Sequence, residues 1–476
     1  MFHAKNIFMP SLGGIKRLNK LTDPRLNALT RLCPLFKCGG DKYTTDWFHR
    51  LGDARYFVRP DSVGSLSDIM RYCNSEKIGV NILGGNTGLV GSTLSGTDEL
   101  LISLEKMNQI LEIDTQSSVA IVESGVILEN LQSELSKQNM VTPYDLGSRG
   151  SCSIGGNIST NAGGNNFIRY GPLRGHVVGL EVVTASGQII DLMTKCRKDN
   201  TGYDLKQMFI GSEGTLGIIT KAALHCPVLP RYKSVALLVS RNPNFTESVL
   251  PALTRARAIL GETLTAFEFM DSHSLRLLPE LPSGISSSGS QFGILIECSS
   301  NVGQIELDSY IEKSLIADPT VSGIVASDLT GMQKLWHYRD TVSSAVARLG
   351  PNLKYDLSLP HHEYYKIVEK VREKFGSDPR VKVVVGYGHV GDGNVHLNVA
   401  LTNDESYDTE IGQKISDYVY SHVKACKGSI SAEHGIGRDK VTKLHYSKSP
   451  EAIDMMHLLK NTLDPNGILN PGRVLQ

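Results

Sequence analysis

In Gly386-Tyr387-Gly388-His389-Val390-Gly391-Asp392-Gly393-Asn394-Val395-His396-Leu397-Asn398, two histidines flank a glycine-rich turn, and Ser431-Ala432-Glu433-His434-Gly435 follows downstream. Imidazoles and a carboxylate are ligands that zinc and similar divalent cations accept, and a set of three leaves positions open for a substrate. His389, His396 and Glu433 are therefore the candidate metal ligands, with His434 as a base beside them. A histidine takes up a proton in the neutral range, which suits it to accept one from an acidified hydroxyl. Two histidines that only hydrogen-bond within a hairpin would look the same locally, so the surrounding elements must decide. Residues 381–385 have the β-branched, apolar character of a strand, 391–394 that of a turn, and 395–401 that of a returning strand. Such a hairpin brings the histidines together, and the period of two puts Asn398 on the face of His396.

A chain of 476 residues exceeds one ordinary core, so two or three domains are expected. Lysine plus arginine equals aspartate plus glutamate at 49 each, which leaves no global field for nucleic acid or an anionic membrane. An acidic ligand must be met by local charges. The 46 glycines cluster between apolar runs, a pattern of backbone closely approaching a large ligand. Eight cysteines are scattered without a CxxC pair and read as free thiols in a reducing compartment. Residues 1–40 hold seven lysines and arginines against one acid, Asp23, with no apolar core of a secretory signal; a mitochondrial transit segment, hence a matrix location, is expected. The longest uncharged stretch, residues 78–97, is too rich in Gly, Asn and Thr to span a membrane.

From Arg59 onward helix and strand patterns alternate. Val63, Leu66, Ile69, Met70 and Cys73 have helical spacing behind Pro60-Asp61, and residues 80–83 read as a strand running into Gly84-Gly85-Asn86-Thr87-Gly88-Leu89-Val90-Gly91. Successive backbone N–H groups there can hold a phosphate. The run is neither GxGxxG nor a Walker loop, so a nicotinamide cofactor or ATP is not supported. A second loop, residues 146–164, is long, polar and glycine-studded; a third run, Phe209-Ile210-Gly211-Ser212-Glu213-Gly214-Thr215-Leu216-Gly217-Ile218-Ile219, follows strands at 177–184 and 188–192. Three such loops in one segment suit an extended cofactor.

Residues 50–229 are similar to the FAD-binding domain of vanillyl-alcohol oxidase type flavoproteins. That resemblance implies pyrophosphate contacts from Gly84, Gly85, Asn86, Thr87 and Gly88. It implies a flavin-side run through Ser148, Gly155, Gly156, Asn157, Thr160, Asn161, Gly163 and Gly164, and an adenine side closed by Glu213, Gly214 and Ile219. Family members that attach flavin covalently use a histidine in the first loop; this chain has Asn86-Thr87, so non-covalent FAD is expected.

Past Pro227 and Pro230 the glycine loops stop, placing a domain boundary near residue 230. Residues 335–346 read as a helix with Arg339 and Ser343 four apart on one face, and Lys354 lies in the next strand; together these can grip a carboxylate. The stretch 336–469 resembles the FAD-linked D-2-hydroxyacid dehydrogenases. The resemblance rests on Trp336 with Arg339, on Lys354-Tyr355-Asp356-Leu357-Ser358-Leu359-Pro360, on the two histidine motifs and on Asp464-Pro465-Asn466-Gly467-Ile468-Leu469-Asn470-Pro471. It implies zinc on His389, His396 and Glu433, His434 as catalytic base and substrate contact, Arg339, Ser343, Lys354 and Asn398 on the substrate, and Asn470 near the cofactor. Threonine can stand in the family where this chain has Ser343, and the hydroxyl is kept. The expected architecture is α+β: a flavin domain at 50–229, then an α+β substrate and metal domain at 230–476 with a C-terminal helical segment returning toward the flavin.

Oxidising a 2-hydroxy acid removes a hydride from C2 and a proton from a hydroxyl about as weakly acidic as water, near pKa 16. A cation chelated by that hydroxyl and the adjacent carboxylate makes proton loss to a histidine feasible, and flavin N5 takes the hydride. The resemblance implies that the reaction is D-2-hydroxyglutarate to 2-oxoglutarate, with D-lactate as the alternative substrate. Electron-transfer flavoprotein is the expected acceptor, and a homodimer is an allowed assembly. A zinc hydrolase would use the same ligands to activate water but leaves three flavin-like loops unexplained, and a silent member of the fold would have no use for a complete ligand set.

Overall fold

The computed structural model describes residues 18–39, 41–278, 289, 291–303, 307–403, 405–407 and 409–476. The first 17 residues of the expected targeting extension lie outside them. The chain is an α+β protein whose described residues form three sheets. β1 (Leu35–Lys37), β2 (Tyr56–Val58), β3 (Val80–Leu83) and β4 (Leu100–Ser103) make the first, in the order β1-β2-β4-β3, with β4 parallel to β2 and β3. The helix Val63–Ser75 starts where Ser62 accepts a hydrogen bond from the Ser65 N–H, and it buries Leu66, Ile69, Met70 and Cys73, the positions its periodicity marks.

The helix Asp23–Leu32 presses Leu26 and Leu29 into the same core, and β1 pairs with β2. From residue 18 on, the stretch expected as a transit segment packs as a layer of the domain, because its leucines fall on one helical face and are buried there. The chain's end joins this core too. Ile468 and Leu469 are buried in it, the Val80 N–H donates to Ile468 O at 2.8 Å, and the Asn470 N–H donates to Val80 O at 2.9 Å.

β5 (Ile110–Asp114), β6 (Val119–Glu123), β7 (Val177–Val183), β8 (Ile189–Leu192) and β9 (Ile218–His225) form an antiparallel sheet, ordered β5-β6-β9-β7-β8. A third sheet begins at Tyr232. It comprises β10 (Tyr232–Ser240), β11 (Leu264–Asp271), β12 (Phe292–Ser300), β13 (Val321–Ala326), β14 (Asn352–Ser358), β15 (Val381–His389) and β16 (Asn394–Leu401), antiparallel in the order β13-β10-β12-β11-β15-β16-β14.

The period of two gives this sheet unlike faces. Phe267, Phe269, Ile294, Tyr355, Leu357, Val395 and Leu397 point one way, into a core completed by the helices Phe245–Leu260, Lys366–Phe375 and Glu410–Ala425. Each such aliphatic or Phe side chain, fully buried, contributes about 1.5–3 kcal/mol. That other face carries Glu268, Tyr387, His389, His396, Asn398, Lys354 and Asp356. The helix Leu329–Ala347 covers its apolar part by packing Leu335, Val342 and Val346 against Val235, Leu237 and Val385.

Candidate active site

Strand register assembles the site. His389 of β15 lies opposite Glu268 of β11, and His396 of β16 lies between Tyr387 of β15 and Asp356 of β14; Lys354 pairs with Asn398. The turn expected at 391–394 is a single 3-10 turn over Val390–Asp392, closed by Gly393 at φ 80°. The imidazoles of His389 and His396 meet edge to face with centroids 5.2 Å apart, and His434 stacks on His396 at 5.8 Å, with planes 2° apart.

The loop bearing Glu433 and His434 is held from two sides. Asp356, fully buried, accepts the backbone N–H groups of both residues at 2.8 Å on Oδ2 and the Asn394 amide at 2.8 Å on Oδ1. Glu213 accepts the N–H groups of Ile436 at 2.7 Å and Gly437 at 2.8 Å. Gly435 is at φ 83°, and a Cβ there would lie 2.7 Å from the Glu213 carboxylate, so only glycine fits. Buried Lys440 donates to Ile430 O at 3.1 Å and Ser431 Oγ at 3.2 Å. Glu433 then points at His389 Nε2, 3.6 Å away, and accepts the Gly164 N–H at 3.0 Å.

The ligand atoms of His389, His396 and Glu433 all lie within 4.8 Å of one another. His389 Nδ1 is bonded to Glu268 Oε1 at 2.7 Å and His396 Nδ1 faces Asp356 Oδ1 at 3.6 Å, which leaves both Nε2 atoms for a cation. Burial and the charge of His389 push His396 far below the usual imidazole range, so it offers a lone pair. Burial opposes charge on His389, but Glu268 and Glu433 outweigh it and raise the imidazole to about 10. Burial also pushes Asp392 up to about 7, against the pull of His389 and helped by Glu433 and Glu268. Carboxylates crowded around so few cations favour a divalent ion, and the donor set fits zinc.

Glu433 and His434 also line a cavity walled by the three glycine loops. Of the residues carried over for FAD, Gly84, Gly85, Asn86, Thr87, Gly88, Ser148, Gly155, Gly156, Asn157, Thr160, Gly163, Glu213, Gly214, Ile219 and Asn470 line it. The walls fit a cofactor with polar edges. Asn86 Oδ1 is buried without a partner among the described residues, as is Ser124 Oγ on another wall residue, and a Cβ on Gly88 would meet none of them within 4 Å. Asn161 and Gly164 are not among the lining residues. Asn161 ends the helix Ile154–Thr160 at φ 49° and accepts the Arg174 N–H at 3.0 Å; Gly164 serves Glu433. Glu213 and Asn470 spend their polar groups on protein, Asn470 donating to Glu213 O at 2.6 Å and accepting the Ile82 N–H at 2.9 Å.

Arg339 projects from its helix onto Glu268, Nε to Oε2 at 2.9 Å, and lies 4.9 Å from the Tyr387 ring; its Nη groups meet no acceptor among the described residues. One turn on, Ser343 accepts from Lys354 Nζ at 3.1 Å. Burial depresses the Lys354 pKa, no carboxylate among the described residues pairs with it, and the Phe48 ring is 5.2 Å away. Asn398 Oδ1 accepts from the Asn352 amide at 2.9 Å. The residues expected to hold a metal, a proton and a carboxylate lie close together, but sequence reasoning gave no role to Glu268 and Asp356. The lone acid in Ala266-Phe267-Glu268-Phe269-Met270 was the available signal for one, and Asp356, two residues from Lys354 on the same strand face, for the other.

Comparison with known proteins fits both halves. Residues 54–193 match the model described as FAD binding domain, and residues 229–474 that described as FAD linked oxidases, C-terminal domain. The chain is 44% identical over 436 residues to the mitochondrial D-2-hydroxyglutarate dehydrogenase of Bos taurus, covering 90% of this chain and 78% of that one. It is 38% identical over 444 residues to the D-2-hydroxyglutarate–pyruvate transhydrogenase of Saccharomyces cerevisiae, covering 90% and 88%. The solved structure of p-cresol methylhydroxylase with substrate bound superposes with a TM-score of 0.72 at 15% identity, over 95% of this chain and 97% of that one, a likeness of fold. An FAD half and a C-terminal half that meet at one cavity, and these relatives over nine-tenths of the length, have one reading: this chain belongs to the FAD-linked oxidases and is an FAD-dependent oxidoreductase.

Proposed function

We propose that this chain oxidises D-2-hydroxyglutarate to 2-oxoglutarate, using non-covalent FAD and zinc or a similar divalent cation on His389, His396 and Glu433. The observation that carries the reading is continuity: three ligand atoms within 4.8 Å of one another stand beside a cavity that Glu433 and His434 share with the glycine loops. When bound, FAD supplies a hydride acceptor and the cation a Lewis acid for the substrate hydroxyl. The chain's own tasks are orientation and proton transfer. His434 takes the hydroxyl proton, with Asp356 3.7 Å from its Nδ1 to stabilise the imidazolium. Asn398 borders the C1 carboxylate, and Arg339, Ser343 and Lys354 together receive the distal one. Electrons leave to an external acceptor, electron-transfer flavoprotein. The compartment is the mitochondrial matrix, on the strength of the basic N-terminus and the Bos taurus relative's mitochondrial name.

An anaerobic absorbance scan tests the reading. D-2-hydroxyglutarate should bleach the flavin, while its L enantiomer leaves it yellow and D-lactate acts more slowly. Faster bleaching by D-lactate would move the substrate to the monocarboxylate, and a colourless holoprotein would return the zinc hydrolase.

Two substitutions probe the supporting groups. Lys354 has no counter-charge among the described residues, so a distal carboxylate would make its charge-assisted hydrogen bond there, worth about 1.5–3 kcal/mol. Lys354→Met should therefore lower kcat/KM for D-2-hydroxyglutarate about ten- to hundredfold and that for D-lactate far less; an equal loss for both substrates would place Lys354 elsewhere. Asp356→Asn keeps the shape but removes the charge facing His396 and His434. Metal affinity, read by competition with a chelator, should fall about 10- to 100-fold, the scale for an outer partner of a ligating histidine.

A further inference from the structure

On the helices that pack behind the sheet, a second cluster of ligand types has no part in this chemistry. Glu363 precedes the helix Lys366–Phe375, and His422 and Cys426 stand four apart at the end of the helix Glu410–Ala425, so both project from one side of it. Cys426 Sγ lies 3.5 Å from His422 Nε2 and 3.9 Å from Glu363 Oε2, and His422 Nε2 lies 3.5 Å from that same oxygen. Around a tetrahedral zinc, with Zn–S near 2.3 Å and Zn–N and Zn–O near 2.0–2.1 Å, ligand atoms are about 3.3–3.6 Å apart. A thiol hydrogen-bonded to a carboxylate would need only two of these groups. Here an imidazole nitrogen sits 3.5 Å from both the sulfur and the oxygen, within that range, while the sulfur–oxygen separation of 3.9 Å has to close slightly for the three atoms to form one face of a coordination tetrahedron.

We infer that Glu363, His422 and Cys426 form a second metal site, for zinc or a cation of similar softness, with water as the fourth ligand. The thiolate selects against magnesium and calcium, which take oxygen ligands. Lys366 stays on Glu363 Oε1 at 2.8 Å and leaves Oε2 to the cation; Lys370, whose exposed Nζ lies 3.4 Å from His422 Nδ1, turns into solvent. Occupation ties the end of one helix to the segment following β14. That junction lies under the catalytic loop: beyond Cys426 the chain reaches Ser429, whose backbone exchanges hydrogen bonds of 2.9 and 3.0 Å with Ser358, and then Glu433.

Cobalt distinguishes this site from the first, whose ligands include no sulfur. The FAD-loaded protein is stripped with chelator and titrated with Co²⁺. Wild type should take up two ions per chain and develop a thiolate-to-cobalt charge-transfer band in the near ultraviolet. Cys426→Ser should take up one and lack the band, while D-2-hydroxyglutarate still bleaches its flavin at the wild-type rate, which also shows that it has folded. His396→Ala should keep the band. No band in wild type, or a band and second equivalent that persist in Cys426→Ser, would overturn the inference. Because the band reports sulfur alone, it stands or falls separately from the dehydrogenase reading.

Discussion

His396→Ala should leave the flavin bound and the site formed with His389 and Glu433 nearly without metal, with flavin reduction by D-2-hydroxyglutarate slowed about 10²–10⁴-fold. The magnitude follows from losing a Lewis acid that contributes several kcal/mol to charge stabilisation. His396 is buried and neutral, held between Tyr387 and Asp356, so its alanine variant leaves His389 and Glu433 as the remaining pair of ligands. The flavin cavity does not include His396 among its walls, so the yellow colour should persist. Chelation of the wild type should reproduce the defect, and added zinc should reverse it in wild type alone. A stripped wild type that reduces its flavin at the original rate would remove the cation from the mechanism, whatever the variant does.

What was legible in the sequence was what is local. The hairpin of His389 and His396 rests on a two-residue period and turn glycines, and the β3-to-Gly84 junction on a strand that stops where glycine begins; both are written within a dozen residues of chain. The supporting acids are not local. Glu268 bonds to a histidine 121 positions away, and Asp356 to a backbone N–H 78 positions away, so each becomes readable only when strand order is known. Composition read without periodicity shows the basic character of residues 1–40 but not that Leu26 and Leu29 lie on a helical face that the first core buries. Most residues carried over by resemblance line one cavity, and some of them also bond within the protein. Glu213 lines the flavin cavity, yet its carboxylate fixes the loop of the candidate base, and Gly164 hands its N–H to Glu433. The two halves are thus coupled by hydrogen bonds between loops, and this coupling belongs to the fold rather than to any motif.

That coupling makes His434→Ala the cleanest test of the base. Its backbone N–H, not its side chain, holds the loop to Asp356, and Glu213 and Lys440 grip the residues on either side, so truncation should leave Glu433 where it is. The imidazole itself is about a quarter exposed and lines the cavity, where a substrate hydroxyl can reach it. Flavin content and metal content should match wild type, while anaerobic flavin reduction slows by at least about a hundredfold, the scale for a lost general base. Added imidazole should restore part of the rate, since the site then holds a vacancy of that shape, and KM should change less than kcat because the carboxylate-gripping groups are untouched. Near-normal reduction in a variant that keeps flavin and metal would transfer the proton to another group. One alternative is Asp392, which burial has already pushed up to about 7 and which shares the turn between the two candidate metal-ligating histidines.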